Sequence, residues 1–363
     1  MSAESPYKEL RKALERAGGA IPALDMEELY RLLEELVTPE EASLGAVLPG
    51  AWVTAAAQAR TMGRPGQEVA SLLESMTNKG FLHARKNAHG HYEYRLMPLL
   101  PGIYEMQFYR GTKTERDYRI ARLFKDLLDA MNRLRASLPT PPPVPKTSYF
   151  RVLPVEKEIG AATEVLPYAK ISRYVAETEA IAAGTCFCRH HAILVDEKDD
   201  CGVSHNNCLA FGEGAVFVAD RKMGRLISKE EALDILAKSE QEGLVHCSAN
   251  TSEELAFICN CCSCHCGILR QAKRVPHASQ VLTSGYNAMV DADLCTGCET
   301  CTGRCPVSAI TVDGTACVDP LQCIGCGLCV STCPTEAIQL VVRPEGSVPP
   351  ARMGHLEAAM KKR

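Results

Sequence analysis

Two cysteine runs near the C-terminal end share one spacing. Cys295-x2-Cys298-x2-Cys301-x3-Cys305-Pro306 is followed, after a short connection, by Cys323-x2-Cys326-x2-Cys329-x3-Cys333-Pro334. The constant offset reaches beyond the thiols, since Gly297 matches Gly325, Ala309 matches Ala337 and Ile310 matches Ile338. A repeat that preserves glycine and apolar positions as well as cysteines is a duplicated structural unit. Three cysteines spaced by two residues wrap a loop around one centre, and the fourth ligand must come from elsewhere.

The spacing is that of the thiolate ligands of iron-sulfur clusters. From about Asn287 to Val341 the chain resembles bacterial-type two-cluster ferredoxins, with both runs intact. In such proteins the last cysteine of each run ligates the other cluster. The resemblance therefore implies one 4Fe-4S cluster on Cys295, Cys298, Cys301 and Cys333, and a second on Cys323, Cys326, Cys329 and Cys305. Electron transfer through two closely placed clusters follows as the expected activity. Paired C-x-x-C also builds tetrahedral zinc sites, but those show two pairs separated by a loop, not triplets followed by x3-Cys-Pro. A disulfide framework is disfavoured by nineteen cysteines in a chain whose first residues, Met1 to Arg16, show no secretory signal.

No stretch of eighteen apolar residues is present, so the expectation is a soluble, cytoplasmic protein without a membrane span. A length of 363 residues suggests two or three domains. The formal net charge of -4 is less informative than its distribution. From Gly285 to Val341 six acids, Asp291, Asp293, Glu299, Asp313, Asp319 and Glu336, face one base, Arg304. That imbalance points to a redox partner with a basic docking surface and to salt-dependent association.

Residues 1–110 contain no cysteine and read as a separate domain. Leu29, Leu32, Leu33 and Leu36 share one face of a helix over Glu27 to Leu36, and further helices are expected over Ala51 to Arg60 and Gln67 to Lys79. Phe81 to Arg85 and His91 to Leu96 alternate as two strands around Asn87-Ala-His-Gly90. Helix, turn, helix, hairpin resembles a winged helix in pattern. Arg60, Arg64, Lys79, Arg85, Lys86 and Arg95 outnumber Glu68, Glu74 and Glu93, a modest excess. Binding to DNA stays open, but a DNA reader carries a denser basic stripe on its recognition helix.

Residues 111–145 are expected to form a helix, capped by Thr112-x-x-Glu115 and running to about Ser137, followed by an extended linker at Pro141-Pro-Pro-Val-Pro145. Residues 146–284 are then expected to form a mainly helical, cysteine-rich domain, with helices over Pro167 to Ala183 and from Ser228 to about Glu242. Two dense groups mark it: Cys186, Cys188, Cys201 and Cys208, then Cys259, Cys261, Cys262, Cys264 and Cys266. Core packing does not account for nine cysteines so placed, and metal ligation does. The simplest arrangement gives each group one further iron-sulfur cluster; structural zinc, or one centre shared by the two groups, stays open. His190, His191 and His265 are expected to donate to sulfur or to face solvent, Arg189 to tune a cluster, and Cys247 and Cys317 to be ordinary thiols.

The expected fold is thus α+β and multidomain, with a winged-helix-like domain, the cysteine-rich domain, a ferredoxin-like domain over residues 285–341 and a tail over 342–363. Gly212-Glu-Gly214 lacks the third glycine of a dinucleotide fingerprint, and no nucleophile elbow is present, so no catalytic site of the chain's own is expected. An iron-sulfur electron-transfer protein, or such a subunit of an oxidoreductase complex in an oxygen-poor setting, is the reading that results. A redox-sensing DNA-binding regulator and a reductase with a substrate site in the middle domain are the alternatives.

Overall fold

The leucine periodicity of the N-terminal region becomes a helical layer. The computed structural model describes residues 5–139, 147–156, 159, 169–197, 201–344 and 348–361. Its first elements are α1 (Pro6–Ala17), α2 (Glu27–Leu36), α3 (Pro39–Ala46), β1 (Val53–Thr54), α4 (Ala55–Met62), α5 (Gly66–Asn78), β2 (Leu82–Lys86), β3 (Tyr92–Leu96), α6 (Ile103–Phe108) and α7 (Glu115–Ser137). Leu29, Leu32, Leu33 and Leu36 are all buried, because positions three and four apart put them on one stripe of α2. Thr38 and Glu41 close a capping box on α3, and Lys79 binds the buried Glu41 carboxylate at 2.6 Å. The antiparallel strands lie in the order β1-β3-β2. Asn87 shapes their turn by accepting backbone N–H bonds from His89 and His91.

The cap of α7 falls at Thr114 with Asp117, not at Thr112 with Glu115: Asp117 reaches back to the Thr114 N–H at 2.7 Å. An aspartate at the third position closes the box as well as a glutamate does. The expected proline-rich linker lies outside the described residues.

The chain divides into two compact units. One comprises Met1–Pro142, His190–Lys198 and Phe217–Gly224; the other comprises Pro143–Arg189, Asp199–Val216 and Arg225–Arg363. Within the first, His191 donates from Nε2 to the Ala121 carbonyl at 2.9 Å and accepts at Nδ1 from the Tyr104 hydroxyl at 3.0 Å. His190 bonds the Thr112 carbonyl at 2.7 Å. Both histidines are buried and bond backbone carbonyls, where the sequence suggested sulfur or solvent.

The expectation of a mainly helical region over 146–284 is corrected. Its elements are β4 (Phe150–Leu153), α8 (Ile171–Glu177), β5 (Ile181–Gly184), α9 (Phe187–Leu194), β6 (Cys208–Phe211), α10 (Glu213–Asp220), β7 (Arg225–Ile227), α11 (Lys229–Gln241), β8 (Val245–Ala249), β9 (Phe257–Cys261), α12 (Gly267–Arg274) and α13 (Ala278–Val281). Six antiparallel strands form one sheet in the order β4-β8-β9-β6-β5-β7. The start of the helix expected from Pro167 lies outside the described residues, and its end at Ile181–Gly184 is strand β5. These strands are short and mostly buried throughout, so they lack a clear polar alternation, and cysteines within them read as loop ligands.

Alternation nevertheless sorts the faces of this sheet. Leu153, Ile181, Ala183, Leu209, Phe211 and Ile258 share a core with Val175 of α8 and Leu236 of α11. The register Cys247↔Cys259 and His246↔Asn260 then sends both cysteines to one face and the His-Asn pair to the other.

The last segment adds β10 (Tyr286–Val290), α14 (Thr300–Arg304), β11 (Ile310–Asp313), β12 (Thr315–Val318), β13 (Ile338–Val342) and α15 (Met353–Lys361). β10 pairs with β13 and β11 with β12, both antiparallel. The duplication is visible in the backbone, where positive φ recurs at matching positions of the two repeats: Gly297 and Gly325, Glu299 and Gly327, Ser308 and Glu336. This segment is tied to the six-stranded sheet. The Val155 N–H donates to the Cys326 carbonyl at 3.1 Å, that of Val152 to Thr283 at 3.1 Å, and Arg304 bonds the Gln241 carbonyl at the end of α11 at 3.0 Å.

Candidate iron-sulfur and metal centres

Two cavities lie in the C-terminal segment. One is lined by Cys295, Cys298, Cys301 and Cys333. The other is lined by Cys305, Cys323, Cys326 and Cys329. Each therefore draws three thiols from one run and the fourth from the other. The loops that carry the triplets turn on glycine. Gly297 and Gly325 sit at φ +67°, and a Cβ on either would collide with a carbonyl oxygen, that of Gly314 or that of Tyr286.

Backbone donors are aimed at the sulfurs. The Ala309 N–H donates to Cys305 Sγ at 3.1 Å, Ala316 to Cys295 Sγ at 3.4 Å, and Ala288 to Cys323 Sγ at 3.5 Å. Ala288 and Ala316 occupy matching positions of the two repeats, as do their acceptors, so this support is duplicated too. Such bonds stabilise a thiolate ligand and set the potential of what it binds. Burial alone works the other way. It pushes the Cys329 thiol up to about 12, helped by Cys323 and Cys305, and raises Cys326 for the same reasons. Burial thus disfavours the thiolate form of Cys326 and Cys329, and a bound cation inverts that balance. The donor sets fit iron-sulfur ligation.

The two cavities differ in exposure: Cys298 is exposed, whereas Cys323, Cys326 and Cys329 are buried. Exposed Met289 and Leu294 flank the outer run, and Asp291, Asp293, Glu299 and Glu336 are exposed as well.

In the six-stranded sheet the thiols form a second assembly. Cys208 on β6 is within hydrogen-bonding reach of Cys259 on β9, and Cys259 of Cys261. Cys261 reaches Cys247 on β8 and Cys266 beyond β9, and Cys266 reaches Cys188 on α9. Neighbouring thiols and burial push Cys259 and Cys261 well above the ordinary range, by way of Cys208 for the first and Cys247 for the second. For Cys266 the bond from Cys188 opposes the rise caused by Cys261 and by burial, and the net direction is again upward. The assembly thus takes thiols from both groups of the sequence, and it includes Cys247, which the sequence placed among ordinary thiols. The missed signal was period two: Val245-His-Cys-Ser-Ala249 beside Phe257-Ile-Cys-Asn-Cys261. Cys317 is exposed on β12 and does not line either cavity, although its neighbour Ala316 does.

Cys201, Cys262, Cys264 and His265 gather separately, their ligating atoms all within 4.8 Å of one another. Cys186 lies near Cys188, Arg189 and Cys262, and burial followed by Cys188 raises it to about 12. Arg189 is 1% exposed and donates to the carbonyls of Asn260 and Ser204 and to Asn207 Oδ1.

No helix among the described residues is long and apolar enough to cross a membrane. Neither a curated protein nor a solved structure matches the chain. Residues 287–339 match the family model described as a 4Fe-4S dicluster domain. The match supports a 4Fe-4S ferredoxin-type domain over these residues, with iron-sulfur binding as its property.

Proposed function

We propose that this protein is an electron-transfer component, a carrier or a wiring subunit of a larger oxidoreductase, that handles single electrons at two 4Fe-4S clusters. Cys295, Cys298, Cys301 and Cys333 would hold one cluster, and Cys323, Cys326, Cys329 and Cys305 the other. The observation that carries the reading is the exchange of the fourth thiol between the two cavity linings. When bound, such clusters supply one-electron chemistry. The chain's own part is to hold thiolates with backbone donors and to present Cys298 at an acidic, partly apolar face on which a basic partner can dock. At the inner cavity the Cys326 carbonyl is bonded to Val155, just beyond β4, so the inner site adjoins the sheet that carries the thiol assembly. That assembly would hold a further cluster. No catalytic group is assigned to the chain, and the chemistry on substrate belongs to the partner.

A regulatory reading rests on the N-terminal elements, whose order of helix, strand, two helices and hairpin with strands β1-β3-β2 suits a winged helix. Its basic residues are largely engaged within the unit: Arg64 with Glu40 and Glu68, Arg85 with Glu93, Arg221 with Glu74. Arg85 and Arg95 also stack on Trp52. These pairings lower the positive charge available to phosphates, which favours protein docking over DNA.

Iron and acid-labile sulfide per chain, measured on protein purified without oxygen, test the proposal. About eight of each are expected from the two cavities, and about twelve if the sheet assembly is loaded. Fewer than about four irons per chain in protein reconstituted with iron and sulfide would sink it.

A further inference from the structure

Three of the four donors at the Cys201 group come from one short loop. Cys262, Cys264 and His265 follow β9, and Cys201 arrives 63 residues earlier in the chain than Cys264. His265 Nδ1 lies 3.3 Å from Cys201 Sγ and 3.9 Å from Cys262 Sγ. A tetrahedral zinc ion, with Zn–S of about 2.3 Å and Zn–N of about 2.0 Å, sets sulfur and nitrogen about 3.5 Å apart and two sulfurs about 3.8 Å apart. Apart from Cys201 and Cys264, whose sulfurs are bonded to each other, the donors are spaced as one ion requires, all within 4.8 Å. A four-iron cube keeps its thiolates on four different irons and so spreads them farther.

We propose that Cys201, Cys262, Cys264 and His265 form a mononuclear zinc site of three thiolates and one imidazole, separate from the sheet thiols and from both ferredoxin cavities. Its role is structural, closing the loop after β9 onto the loop that precedes β6. Cys201 and Cys264 are joined as a disulfide in the structure, and this is the alternative to the ion, because both thiolates are needed as ligands. The surroundings suit the ion-bound state. Three thiolates with one divalent cation carry a net negative charge, and the buried Arg189 guanidinium lies within hydrogen-bonding reach of Cys262. Its bonds to Asn260, Ser204 and Asn207 all end on neutral oxygens. A buried cation of this kind calls for a compensating anion. With Nδ1 turned to the ion, the other ring nitrogen of His265 can bond a neighbouring group, the usual device that fixes a ligand's tautomer.

The loop that brings Cys201 is anchored independently of any metal. The His205 carbonyl accepts from the Cys186 N–H at 2.7 Å, and Glu242 binds both the N–H and the hydroxyl of Ser204, at 3.0 and 2.6 Å. Conservative changes at the site should therefore leave the sheet folded.

The test uses full-length protein purified without oxygen in the presence of a thiol reductant. Zinc and iron are counted together, and cobalt(II) is then exchanged into the protein. The expected result is about one zinc per chain and, with cobalt, the ligand-field and thiolate charge-transfer bands of a tetrahedral site with three sulfurs and one nitrogen. In Cys264→Ser and His265→Gln, metal affinity at this site should fall by about 10- to 100-fold or more with iron per chain unchanged. Absence of both zinc and a tetrahedral cobalt spectrum in the reduced wild-type protein overturns the proposal. Loss of about four irons in His265→Gln also overturns it, since the donors would then belong to a cluster, while the electron-transfer reading would stand.

Discussion

Gly325 is the residue on which the inner cavity turns, because its φ of +67° and the Tyr286 carbonyl leave no place for a Cβ. Gly325→Ala is expected to cost about 2 kcal/mol or more and to lower iron per chain, read by thermal unfolding and iron analysis. Gly303→Ala is the control, since its Cβ would point into open space. A second residue-scale prediction concerns Glu105, whose carboxyl is pushed up to about 7 by burial, against the opposing bond from the Gly102 N–H. The folded state therefore holds a proton that the unfolded chain releases near pH 4.5. Stability falls as pH rises from about 4.5 to about 7, by about 3 kcal/mol in the limit. His83 acts in the opposite sense: burial, then Arg95 and Arg85, lower it to about 4, so its contribution is lost as pH falls from about 6.5 to about 4. The two offset each other in the wild type. The measurement is thus the difference between wild type and Glu105→Gln, which should grow in the variant's favour between pH 5 and 8.

At the scale of elements, the sheet that carries the thiol assembly decides what was legible. The loops of residues 287–339 could be read directly because their cysteines are local and repeated, and glycine marks each turn. The helices around Leu29 to Leu36 and Val69 to Met76 could be read because one face of each is wet. The six-stranded sheet could not, since Cys208-Leu-Ala-Phe211 is wholly buried and gives no contrast between faces. For the same reason the sites of the middle region were grouped by nearness in sequence. Strand register instead brought Cys247 opposite Cys259 on the neighbouring strand, and loop closure brought Cys201 to the distant His265. A test of the register is Cys247→Ser beside Cys317→Ser. The first should change the iron or zinc bound by the middle region, and the second should change stability by less than about 0.5 kcal/mol. If Cys247 only packs, its replacement costs about 1–3 kcal/mol for a buried hydroxyl and leaves the metal content untouched.

For the molecule as a whole, the acidic face around Cys298 predicts how it meets a partner. The rate of association with a basic redox protein should fall about tenfold or more between about 0.01 and 0.15 M salt, as the Debye length shrinks from about 30 to about 8 Å. Stopped-flow reduction at several ionic strengths reads this, and a flat profile would count against docking on that face. The terminal segment also belongs to this scale. Ser252 and Glu253 donate to the carbonyls of Pro350 and Ala351 at 3.0 Å, and Leu356 of α15 is fully buried. Removing residues 348–361 should therefore lower the melting temperature of the unit that contains the six-stranded sheet.

The unequal burial of the two cysteine quartets sets an order of failure. Cys298 is open to oxidants and chelators from solvent, while Cys326 is buried and its carbonyl is bonded to Val155. Damage in air should begin at the outer quartet and spare the inner one, leaving half-loaded protein whose sheet is still braced by the bond from Val155. With the clusters proposed above in place, the side open to a partner would be the sacrificial one, the first to be lost.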